Sequence, residues 1–105
     1  MKMINLTPHA VTIVKETGNL VIEPSGMLAR VAAKIVTIGE IDGIPVTTTE
    51  FGEVENLPEP EEGTIYIVSS LVAQRCTHRG DVFIPNEAVR DEAGRIIGCK
   101  SLGRI

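Results

Sequence analysis

Tryptophan is absent from this 105-residue chain, and its only aromatic residues are Tyr66, Phe51 and Phe83. The apolar 43% of the sequence falls instead largely on Ile and Val, whose stiff β-branched side chains favour sheet over helix. Basic residues never cluster, and the net charge is -4 with a pI near 5.1. Non-specific nucleic-acid binding and attachment to an anionic membrane are therefore disfavoured. No stretch reaches the roughly 18 apolar residues of a membrane span, and the start, MKMINLTPHAV, lacks the apolar run of a signal peptide. The expectation is a cytoplasmic protein with neither nucleic-acid nor membrane partners. The two cysteines, Cys76 and Cys99, form no Cys-x-x-Cys pair, so a zinc set with His9 and His78 is not expected. They read as reduced, buried side chains. There is no glycine-rich phosphate loop, internal repeat or low-complexity tract.

What is present suits one domain, residues 1–105, long enough to bury about two-thirds of its unfolded surface. Residues 10–14 (AVTIV) and 20–22 read as a hairpin about Thr17-Gly18-Asn19. Residues 34–41 and 44–50 flank Asp42-Gly43, the strongest short signal for a type I′ hairpin, with Pro45 marking an edge or bulge. Residues 51–63 change character, with five Glu, two Pro and two Gly after Phe51, and read as a solvated connector. Residues 64–68 (TIYIV) are a strand of the kind buried on both faces. Ser69 is placed as an N-cap for a short amphipathic helix near residues 70–78, which Gly80 can end. A short strand at 81–84 precedes the break Pro85-Asn86, and 88–90 with 95–99 form a third hairpin about Asp91-Glu92-Ala93-Gly94. The tail 100–105 reads as loosely held. The fold class is thus mainly β (α+β): about eight short, mostly antiparallel strands in a sheet or small barrel, with one short helix.

Four places carry chemistry worth testing against a structure. At Ser69 and Ser70, free backbone N–H groups at a helix start can receive a phosphate or carboxylate, although N-capping alone explains a serine there. The run Thr77-His78-Arg79-Gly80-Asp81 offers a bidentate guanidinium for an anion, or an acid/base pair if Asp81 orients His78; cations also simply suit a helix end. Thr7 and His9 in Asn5-Leu6-Thr7-Pro8-His9 can reach a ligand, or serve only a strand-bridging hydrogen-bond cluster. Arg90 and Arg95 flank the last turn and would form a two-arginine anion clamp, unless Asp91 or Glu92 pairs with them.

Three segments, NLTPH at 5–9, GTIYIVSSLV at 63–72 and VRDEAGRIIGC at 89–99, together resemble a family of small proteins found in bacteriophages, prophages and actinobacterial genomes. The resemblance spans nearly the whole chain and carries over no catalytic set or cofactor. It implies a genomic setting in which small phage-borne proteins inhibit or decoy host systems, some by sequestering cyclic-nucleotide or ADP-ribose-type immune signals.

The expected function is a non-catalytic, cofactor-free and homo-oligomeric binding module for a small anionic, nucleotide-like ligand. Its ligand-binding residues would come from Thr7, His9, Ser69, Ser70, His78, Arg79, Asp81, Arg90 and Arg95. One alternative is a protein–protein inhibitor that occupies a host protein through an edge strand such as residues 44–49, or through the acidic loop. A second is a small hydrolase using His78 and Asp81.

Overall fold

The near-continuous apolar run at 64–67 becomes the central strand of the fold. In a computed structural model covering residues 1–105, strand β6 (Thr64–Ile67) lies between β1 (Lys2–Asn5) and β7 (Val82–Arg90), parallel to both. A strand with parallel neighbours on both sides has both faces covered and no water to satisfy, which is why it tolerates Ile65, Tyr66 and Ile67 in succession. The sheet continues through β8 (Ile96–Gly103), β2 (Val11–Ile13) and β3 (Leu20–Ile22), in the order β1-β6-β7-β8-β2-β3. Antiparallel pairs hold most of the paired length, while β1–β6, β6–β7 and β2–β8 are parallel.

The two outer strands of this sheet come back towards each other. Just beyond β3, Pro24 bridges Asn5 at the end of β1, and the Ser25 N–H donates to the Asn5 carbonyl at 2.9 Å. The sheet is therefore nearly closed, like a small barrel. The Asn5 carboxamide, buried, fastens the seam: its Nδ2 donates to the carbonyls of Ile22 (3.0 Å) and His9 (2.8 Å), and its Oδ1 accepts from Thr7 N (3.0 Å) and Thr7 Oγ1 (2.7 Å). Two apolar clusters cover opposite faces of the sheet, since Tyr66 and Ile67 point to opposite sides of β6. Leu6, Tyr66, Val68, Val72 and Cys76 belong to one, and Val11, Ile13, Ile22, Ile67 and Cys99 form the other.

The remaining strands, β4 (Arg30–Ile41) and β5 (Ile44–Glu55), pair only with each other. Asp42 (φ 48°) and Gly43 (φ 80°) make the left-handed pair that a type I′ turn requires, as the Asp-Gly signal predicts. The ribbon carries irregularities between Val31 and Ala33 and between Thr37 and Gly39. Its root packs on the barrel through Val31 and Val54, and the Arg75 guanidinium lies 4.8 Å from the centre of the Phe51 ring.

Four local expectations are corrected. Residues 51–55 are strand and not connector, because Phe51 and Val54 pair with Ala33 and Val31 and Val54 reaches the core. Helix α1 spans Ser70–Gln74 and ends at its cap Arg75, well before Gly80, since Cys76 turns inward to be buried and its N–H bonds back to the Ala73 carbonyl. β7 runs through Pro85-Asn86 without a break, Pro85 sitting opposite Leu102. The tail is held as far as Gly103, which pairs with Ile84.

Candidate functional site

The Thr77–Asp81 run is closed on itself. After α1 the chain turns back to enter β7, and this turn sets Arg79 and Asp81 side by side, their side chains only 14% and 17% exposed. Arg79 Nε donates to Asp81 Oδ1 at 2.8 Å, and its terminal nitrogen donates to Asp81 Oδ2 at 2.9 Å and to the Pro58 carbonyl at 2.9 Å. The guanidinium hydrogen bond holds the Asp81 carboxyl below the usual carboxylate range, and the same bond raises Arg79 further. With both Asp81 oxygens engaged by Arg79, the proposed His78–Asp81 acid/base pair is not assembled; His78 is exposed. Neighbouring Cys76 is buried, which pushes its thiol up and leaves it protonated and unreactive. The physical role of Arg79 is to pin the acidic connector 56–63 against the barrel.

The serines at the start of α1 divide the same way. Ser69 Oγ accepts from Val72 N at 3.5 Å as an N-cap, while Ser70 opens the helix and is exposed. A five-residue helix has little macrodipole to offer an anion. Thr7 Oγ1 is spent on Asn5 and on the His9 carbonyl at 3.0 Å, so Thr7 and the His9 backbone sit in the strand-bridging cluster at the seam, while the His9 side chain is exposed.

The last hairpin does bring two expected residues together. Arg90 and Arg95 converge on the turn between β7 and β8: Arg90 Nη1 donates to the Gly94 carbonyl at 2.7 Å, and Arg95 Nε pairs with Asp91 Oδ2 at 3.2 Å. The Arg95 side chain is 80% exposed, so this is a solvated surface pair that costs little to break.

Alongside that hairpin lies a cleft of about 450 Å³, open to solvent, between β2, β7 and β8. Val11, Pro85, Ala88, Ile96 and Ile97 give it apolar walls, and Thr12, Asn86 and Glu87 supply polar groups. None of the nine residues singled out from the sequence lines it, although Arg95 precedes its wall residue Ile96 and His9 precedes Ala10. Two features of the wall were not legible in sequence. Glu87 sits at φ 56°, a left-handed conformation that no turn requires, in the middle of β7. Such backbone is costly for a non-glycine residue and concentrates at sites of function. Gly98 lets β8 close on β2, since a Cβ there would lie 2.8 Å from the Thr12 carbonyl oxygen and 2.9 Å from Val14 Cγ2.

No group of three or more His, Cys, Asp or Glu side chains is placed to hold a metal ion, and no helix is long and apolar enough to cross a membrane. No family model, curated protein or solved structure matches the chain.

Proposed function

We propose that this protein is a non-catalytic binding module for a small nucleotide-like ligand, taken into the β2/β7/β8 cleft. The observation that carries the reading is Glu87, held in a left-handed conformation in the wall of an apolar cleft of about 450 Å³. A pocket of roughly 300–1,000 Å³ with mostly apolar walls and a few polar groups suits a drug-sized molecule. Pro85, Ile96 and Ile97 offer flat apolar surface to a base, and the Glu87 carboxylate, Asn86 and Thr12 offer partners to its N–H groups and to ribose hydroxyls. The anionic end of such a ligand faces away from Glu87, towards the turn where Arg90 and Arg95 converge. Recruiting Arg95 requires only the loss of its exposed pair with Asp91. In the phage-borne setting implied by the resemblance, the module works in the host cytoplasm as a sponge for an immune signal.

Isothermal titration against a panel of cyclic nucleotides and cyclic ADP-ribose isomers tests this. Heat with at least one of them, abolished when Ala88→Trp fills the cleft, is the expected result. No heat with any member, or binding indifferent to Ala88→Trp, overturns it.

A further inference from the structure

The β4–β5 ribbon leaves a large apolar surface without a partner inside the chain. A folded monomer of 11.3 kDa is expected to expose about 5,700 Å², whereas this chain exposes 7278 Å², an excess of about 1,500 Å². Its radius of gyration, 16.8 Å, likewise exceeds the roughly 13 Å of a compact domain of this length. The ribbon accounts for much of this elongation, because 12-residue strands extend about 40 Å and only the root touches the barrel. Ile35, Ile38, Ile41 and Ile44, beyond the root, are 72%, 65%, 64% and 65% exposed. A lone two-stranded ribbon is marginal in water, and its apolar face calls for a cover: Ile41 and Ile44 are cross-strand partners on that face, which Val36 and Val46 share, whereas Ile35 stands among threonines on the other.

We infer that the cover is a second copy of this chain, with the two ribbons packed face to face about a two-fold axis. A standard interface takes about 800 Å² from each partner, and the excess on one protomer is enough to supply it. A second copy carries the same unpaired surface at the same concentration, so one isologous contact removes the excess from both. The edges are poorly made for strand addition: Pro45 removes a donor from β5, and irregularities interrupt the ladder at two places. That leaves the faces. The tip carries Glu40 and Asp42, while at the root Arg30 is paired with Glu55 and Lys34 stands opposite Glu50. An antiparallel arrangement keeps the two acidic tips apart. This inference does not depend on what occupies the cleft.

Sedimentation equilibrium on the full chain tests it. The wild-type protein should give twice the 11.3 kDa chain mass. The double variant Ile38→Glu/Ile41→Glu, and separately Ile44→Glu, should give the chain mass with an unchanged circular dichroism spectrum, since these side chains are exposed in the protomer. Val21→Lys, on β3 and 49% exposed, should remain dimeric. A monomeric wild-type protein, a dimer that survives all the ribbon charges, or a dimer lost in Val21→Lys but kept in the ribbon variants would overturn the inference.

Discussion

Arg79 and Asp81, two residues apart, meet through paired hydrogen bonds of 2.8 and 2.9 Å in a largely buried turn, and the same guanidinium reaches back to the carbonyl of Pro58. Removing one partner leaves the other charge without compensation in a partly desolvated place. Arg79→Ala should therefore lower the unfolding free energy by about 3 kcal/mol, and Arg79→Lys, which keeps the charge but not the fork, by less. Urea unfolding of the two variants checks the order.

The same pair sets an acid limit. Asp81 has its folded pKa depressed below the usual carboxylate value by the Arg79 hydrogen bond, so its contribution is present above the unfolded-state pKa. It is lost as pH falls from about 4 through the folded value. Thermal midpoints measured between pH 6 and pH 2 should fall less steeply for Asp81→Asn than for the wild type, at a lower starting midpoint.

Asn5 gives a third prediction. Its carboxamide is the buried link across the seam, and Asn5→Ala would leave the Ile22 carbonyl without that donor. A cost of about 2 kcal/mol or more follows, which for a domain of this size lowers the midpoint by roughly 10 °C. Differential scanning calorimetry reads it directly.

At Glu87 stability and binding should part company. Glu87→Gly relieves a conformation disfavoured by about 1 kcal/mol, so the variant should be at least as stable as the wild type while losing affinity for any ligand held by the carboxylate. A variant both less stable and equally good at binding would show that the left-handed residue serves the fold alone.

Gly98→Ala should act in the opposite sense. The added methyl meets the Thr12 carbonyl at 2.8 Å, which forces β8 away from β2 and costs about 2 kcal/mol in overpacking. Because both residues line the cleft, its shape should change too, which titration of the variant would detect.

Much of this architecture could be read in the chain, and the exceptions have causes. The Asp42-Gly43 turn, the buried strand at 64–67 and the Ser69 cap are local signals, and each appears where its chemistry places it. The extension of β5 to Glu55 escaped because five glutamates and two prolines dominate the composition of 51–63, while Phe51 and Val54 find their partners about twenty residues back in β4. The arginines were legible as residues but not as used or unused. Only the fold reveals that Asp81 consumes Arg79 and that Arg90 and Arg95 share a turn. Glu87 left no trace at all, because nothing in Pro85-Asn86-Glu87-Ala88 specifies a positive φ.

The parallel seam between β2 and β8 also orders events in time. Cys99 Sγ lies 3.6 Å from the Thr12 carbonyl, 87 positions away in the chain, and β1 likewise waits for β6. On a ribosome β1 emerges without its neighbour and β2 with only β3, and the sheet can be completed only after the last residues of β8 are released. The β4–β5 ribbon, joined by a two-residue turn, is the longest pairing that forms from adjacent sequence, and it emerges before the β7–β8 hairpin. It can stand finished with its isoleucines uncovered while the barrel is still incomplete, so encounters between nascent chains would begin there.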